Sequence, residues 1–144
     1  MRARNRAWAN TKEGELLPNP VVHFEIMGKN EKQTQKWYSD MFGWKIDPMP
    51  MGPGDETYGI VGAQDGKGIG GGVGGSREGQ QPSARVYIEV DDPRAYMEKI
   101  EKAGGKVVLP VSDMPMPGSD TPLVLGMFAD PDGNVIGLVK AGSM

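Results

Sequence analysis

His23 is the only histidine in this chain of 144 residues, and a carboxylate, Glu25, stands two positions further on. Both fall on one face of an alternating stretch, Pro20 to Ile26, with Val21, while Val22, Phe24 and Ile26 fall on the other. An imidazole in this position can hydrogen-bond a ligand or a carboxylate, or move a proton near neutral pH. A satisfied structural histidine is the plainer alternative. A second alternating stretch, Arg85 to Val90, gathers Arg85, Tyr87 and Glu89 on one face against Val86, Ile88 and Val90. Arg85 could hold a carboxylate or phosphate group of a ligand. A salt bridge to Glu25 or to another strand carboxylate is the competing use of the same charge. Tyr58 and Met127 are the apolar companions expected from neighbouring strands, and the loop Met114-Pro115-Met116-Pro117-Gly118 is expected to cover them.

These residues need elements to position them, and the chain supplies a repeated series. Asn30, with Gln33 three residues on, caps a helix whose residues Trp37, Tyr38, Met41 and Phe42 form its apolar face, and Gly43 ends it. Short strands are expected at Trp44 to Asp47, Thr57 to Ala63 and Ile69 to Val73, with a polar linker from Gly74 to Ser83. The second half repeats the order. After the Arg85 strand, Asp92-Pro93 opens a helix with Tyr96, Ile100 and Ala103 as its inner stripe, and Gly104-Gly105 closes it. Strands follow at Lys106 to Leu109, Leu123 to Phe128 and Asn134 to Val139, the last two joined across Asp130-Pro131-Asp132-Gly133. The series strand–helix–strand–strand–strand thus occurs twice, with a period of roughly 60 residues. Residues 1–18 are expected as a flexible N-terminal arm, whose Trp8 could dock on a neighbouring surface. Residues 19–141 form one domain of two modules, 19–75 and 84–140.

Composition narrows the chemistry. The absence of cysteine removes disulfides, thiolate metal sites and cysteine nucleophiles, and it suits the cytoplasm. A net charge of −3 without a basic block gives nucleic acid little to bind. No apolar run approaches the ~20 residues of a membrane span. Gly66-x-Gly68-x-x-Gly71 has dinucleotide-binding spacing, but no helix follows it to hold a pyrophosphate. One histidine and no nucleophile elbow leave a Ser/His/Asp mechanism without support.

The segments Val22–Ile26, Trp37–Trp44, Ile88–Asp92 and Asp130–Asn134, in that order and spacing, resemble the vicinal-oxygen-chelate superfamily of glyoxalases, bleomycin-resistance proteins and extradiol dioxygenases. The resemblance spans roughly residues 20–139. It implies an α+β fold of two βαβββ modules, cup-shaped mixed sheets with a small-molecule cavity inside. In metal-dependent relatives the ligands lie on the first and last strand of each module. Carried over, those places fall on His23, on Arg85, on the Gly70-Gly71-Gly72 run and on Gly137. Only the first is a metal ligand by chemistry, since Arg85 has no lone pair to give and glycine offers only its carbonyl. A carboxylate site built from His23 with Glu25 and Glu89 is the remaining metal possibility.

The expected function is therefore small-molecule binding of the bleomycin-resistance type, with no metal or other cofactor. The binding residues would be His23, Glu25, Tyr58, Arg85, Tyr87, Glu89 and Met127, and the ligand a carboxylate or phenolate met by Arg85. The alternatives are a lyase, isomerase or dioxygenase using a divalent metal at His23 or His23 itself as acid/base, and a partner subunit with a vestigial cavity. A homodimer is expected; nucleic acid and membrane are not expected as partners.

Overall fold

The computed structural model describes residues 18–49, 58–64, 66–76 and 80–144. Residues 1–17 of the expected N-terminal arm, including Trp8, and the expected strand start at Thr57 lie outside the described residues. The order is β1 (Val21–Gly28), α1 (Glu31–Phe42), β2 (Ile46–Met49), β3 (Tyr58–Val61), β4 (Gly71–Gly75), β5 (Ser83–Val90), α2 (Pro93–Lys102), β6 (Lys106–Met114), β7 (Leu123–Ala129) and β8 (Val135–Lys140). The eight strands make one mixed sheet in the order β2-β3-β4-β1-β5-β8-β7-β6. Each βαβββ module thus contributes four neighbouring strands, and the modules join within the chain through the antiparallel pair β1–β5. Both modules put their first strand parallel to their last, β1 to β4 and β5 to β8.

The alternation of β5 holds. Ile88 and Val90 face α2, where Val90, Met97 and Leu138 form a buried cluster bordered by Tyr96, Ile100 and Phe128. Tyr87 faces the other way, into a second cluster with Leu123, Leu125 and Val139. We call this side, opposite the helices, the inner face. Met97 was not part of the expected stripe of α2, and Ala103 lies exposed at its C-terminal end instead. On β1 the alternation is interrupted by a register shift between Val21 and His23, so that Val22 packs against the inner cluster rather than beside Phe24 and Ile26. An extra residue in a bulge does this by advancing the strand one position without advancing its partner.

Helix α1 starts as expected, with Asn30 Oδ1 accepting from the Gln33 N–H at 3.0 Å, and stops at Gly43, whose φ is 69°. Of its apolar residues only Tyr38 is half-buried, and the others do not turn inward. Trp37, Met41 and Phe42 are 53%, 58% and 60% exposed. The side lying on the sheet is instead short and polar. Thr34 sits over Gly28, and Gln35 Nε2 donates to the Val73 carbonyl at 2.8 Å. The glycines of β1 and β4 explain the inversion, because a strand bare of side chains lets a helix approach through its small polar residues.

Several boundaries move for reasons that involve partners. β2 runs through Pro48 and β6 runs through Pro110 to Met114. Both are edge strands of the sheet, where a missing N–H costs no ladder bond, and β6 carries register shifts around Leu109. β4 reaches Gly75, into the expected linker, because it pairs with β1 as far as Gly28. The Asp130–Gly133 turn is held by Asp130, whose Oδ1 accepts from the N–H groups of Asp132 and Asn134 at 3.0 and 2.9 Å. Among the described residues, no helix is long and apolar enough to cross a membrane.

Candidate functional site

The centre of the inner face is the junction of the two modules. In the β1–β5 register His23 lies opposite Tyr87, and Glu25 lies opposite Arg85. Tyr58 reaches the same place from β3. Five of the expected site residues therefore meet around one carboxylate. Tyr58 Oη donates to Glu25 Oε2 at 3.0 Å, and Tyr87 Oη stands 3.2 Å from both carboxylate oxygens. His23 Nε2 lies 2.9 Å from Tyr58 Oη. Because the Tyr58 proton goes to Glu25, its oxygen accepts from His23, which assigns the imidazole proton to Nε2. Arg85 Nε faces Glu25 Oε1 at 3.5 Å.

The site is dry enough to shape these groups. His23 and Glu25 are 9% and 8% exposed and Tyr87 is 3% exposed. Burial lowers the His23 pKa, so the ring is neutral at physiological pH. Burial first, and then the charge of Glu25, raise both tyrosines well above the ordinary phenol range; Arg85 opposes this at each. Both phenols are therefore protonated donors.

Arg85 is spent on its own chain. Besides Glu25, its Nη1 donates to Met127 Sδ at 2.8 Å and its Nη2 to Ser83 Oγ at 2.9 Å. Nε is a buried side-chain atom without a hydrogen-bond partner among the described residues, held just beyond bonding distance of the carboxylate. Of the two uses open to Arg85 in the sequence, the structure shows the ion pair with Glu25. Met127 takes its place as a sulfur acceptor for this guanidinium. Glu89 is half-buried on the same strand, and its side chain joins none of these bonds; its backbone N–H donates to the Pro20 carbonyl at 2.9 Å. Tyr58, expected as an apolar companion, is a polar member of the cluster. Met114 and Met116 of the expected covering loop pack against the inner cluster, as do Leu109 and Met127.

Two glycines explain how the phenols fit. A Cβ on Gly72 would fall on the hydroxyl end of Tyr58, and a Cβ on Gly137 would fall on the ring of Tyr87. Each tyrosine lies across a strand at a point where any side chain would displace it. These glycines fall within the last-strand places, the Gly70-Gly71-Gly72 run and Gly137, to which the resemblance carries the ligands of metal-dependent relatives. Residues that fit a metal ion are missing here: the described residues contain no group of three or more His, Cys, Asp or Glu side chains able to hold one. Glu25, the one carboxylate near His23 in the cluster, already accepts both phenolic protons and faces a guanidinium. A donor set of one imidazole and one fully engaged carboxylate falls short of the three protein ligands such sites use.

Sequence reasoning missed Ser83, the seating role of Gly72 and Gly137, and the placement of Val22. The glycines were visible as absent ligands, but what occupies their space depends on rings from other strands.

This fold and junction define a two-module βαβββ protein with its polar centre between the first strands. The sequence matches the Glyoxalase/Bleomycin resistance protein/Dioxygenase superfamily over residues 21–138, and the chain belongs to that family. It is 29% identical over 132 residues to CFP32 of Mycobacterium bovis, which carries a provisional glyoxylase name; the alignment covers 90% of this chain and 49% of that protein. The chain thus spans about half the length of this mycobacterial relative. A glyoxylase-like domain-containing protein of Didymella fabae is 31% identical over 83% of this chain and 91% of its own length. Among solved structures, a superfamily member from Vibrio splendidus 12B01 superposes with a TM-score of 0.60 at 15% identity, covering 85% of this chain and 98% of the other. Methylmalonyl-CoA epimerase from Mycobacterium tuberculosis gives 0.61 at 14% identity, covering 91% and 93%. At these identities the two structures speak to the fold alone.

Proposed function

We propose that this protein binds a small molecule without a metal ion, holding it against the inner face around Glu25. The observation that carries this reading is the seating of Tyr58 and Tyr87 on Gly72 and Gly137, which puts phenol rings where the family resemblance implies metal ligands. The deciding experiment is elemental analysis of protein purified without chelator or affinity tag. Transition-metal content well below one per chain is expected, with a thermal midpoint unmoved by added zinc or iron(II). Occupancy near one metal per chain that disappears in His23→Ala would overturn the reading.

The hydrogen-bonded run His23–Tyr58–Glu25 favours a second reading. Such a run can move a proton between a ligand and the protein interior, as a lyase or isomerase with His23 as acid/base would need. The glyoxylase names of the relatives point the same way. Solvent deuterium entering a bound ligand's C–H position in wild type, and not in His23→Gln or Tyr58→Phe, would favour it. The protein is further proposed to act as a cytoplasmic homodimer, since a matched relative is about twice as long as the region they share. A sedimentation mass of one chain at micromolar concentration would count against the dimer.

A further inference from the structure

The protons and charges of the Glu25 cluster restrict the head group it can admit. Both phenolic protons are given to Glu25, and the Tyr58 oxygen accepts from His23. The cluster holds one carboxylate and one guanidinium, which face each other, so its net charge is zero. A carboxylate or phenolate arriving here would bring a second negative charge beside Glu25, with half-buried Glu89 on the adjoining strand and Arg85 already engaged. An ammonium would meet the guanidinium. Either ion would be desolvated without a free counter-charge.

A neutral hydroxyl meets neither obstacle. As the 3.2 Å contact between Tyr87 and Glu25 opens, its oxygen can accept the Tyr87 proton while its own proton passes the bond on to Glu25, so every donor keeps an acceptor. The carboxylate exchanges one O–H donor for another and keeps its charge facing Arg85 Nε, the buried donor now without a partner. Around this polar centre the packing is apolar. Leu123, Leu125 and Val139 are buried there, with Met114, Met116 and Met127 half-buried beside them. Thioethers adapt to flat apolar bodies and favour aromatic edges.

We propose that the inner face takes a neutral hydroxyl-bearing molecule with an apolar body, its hydroxyl inserted between Tyr87 and Glu25, and discriminates against the matched anion and cation. The proposal rests on the reading of this face as a metal-independent small-molecule site. It also replaces the acid ligand expected from the sequence, which needed a free Arg85.

Three probes share one bicyclic body and differ only in head group: 2-naphthalenemethanol, 2-naphthoate and 2-naphthylmethylammonium. They are titrated into the full chain near neutral pH and followed through its methionine methyl NMR signals. The alcohol is expected to bind about tenfold or more tightly than either ion. Tyr87→Phe should lower alcohol affinity about tenfold without improving that of the ions. Glu25→Gln frees the Arg85 charge and should turn the preference toward naphthoate. If Glu25→Gln does not fold, the three wild-type affinities and the Tyr87→Phe variant decide. An ion binding wild type as tightly as the alcohol overturns the proposal, and so does failure of the alcohol to bind. Metal content measured on the same samples separates the two ideas: a metal-loaded protein sinks the function proposed above, whereas a metal-free protein preferring naphthoate sinks only this inference.

Discussion

At the scale of the residue, Gly137 acts through the side chain it lacks. A Cβ there would overlap the Tyr87 ring, which is packed among Leu123, Leu125 and Val139. Gly137→Ala is therefore expected to cost about 1–3 kcal/mol, the usual range for overpacking a close-packed site. In a Tyr87→Leu background the same substitution should cost much less, and a denaturation cycle over the four proteins checks that coupling. His23 gives a second residue-scale test, made clean because no other imidazole titrates. Burial lowers its folded pKa below the unfolded value of about 6.5, so the unfolded chain binds the proton more readily. The stability it contributes is complete above about pH 6.5 and declines as pH falls from there to the folded pKa. The ring's NMR titration should show a midpoint below 6.5, and His23→Gln should lack that part of the acid-side loss. These roles differ in how well a sequence displays them. His23, Glu25, Arg85 and Tyr87 share one inner face because period-two alternation is a local property. The bulge at Val22 and the seats at Gly72 and Gly137 arise from pairing and from rings on other strands, which local pattern does not encode.

At the scale of the element, local chemistry predicts starts and stops better than facing. Asn30 caps α1 as its type and the residues after it require, and removing that acceptor leaves the Gln33 N–H without its partner. Asn30→Ala should cost about 1 kcal/mol, read as a lower denaturation midpoint with an unchanged m-value. Asn30→Asp or Asn30→Ser should restore most of it, which a loss of mere helix propensity would not predict. The inward face of α1 could not be read by the same means. Its apolar period is real, yet Thr34 and Gln35 take the sheet side because Gly28 and β4 offer bare backbone. Trp37, Met41 and Phe42 are left outside, while half-buried Tyr38 stacks on Trp44 at 5.1 Å between ring centres, and Trp44 packs in turn on Phe24 of β1. β6 exceeds its expected length for a related reason. Pro110 reads as a stop in isolation, but an edge position and a bulge accommodate it.

At the scale of the whole molecule, the charged pair at the module junction ties the two halves of the sheet. Glu25 belongs to the first module and Arg85 to the second; they face each other across β1–β5 with side chains 10% and 18% exposed. The first module adds Tyr58 to this carboxylate and the second adds Tyr87, so one acceptor is shared between modules. Removing either charge strands the other in a poorly solvated place. Glu25→Leu alone is expected to destabilise by on the order of 3–5 kcal/mol, with Arg85→Met alone comparable, because each leaves an uncompensated buried ion. The double variant removes both ions and lets apolar surface meet across the junction, so it should recover most of that loss. Chemical denaturation of the four proteins gives the coupling directly, provided a single transition persists. Strictly additive losses would mean that the pair does not act as a unit, and that Glu25 is held by its two phenols rather than by Arg85. If the double variant is as stable as wild type, the ion pair is dispensable to the fold. Its retention then points to the ligand, because an apolar junction would offer a hydroxyl head group no carboxylate to receive its proton.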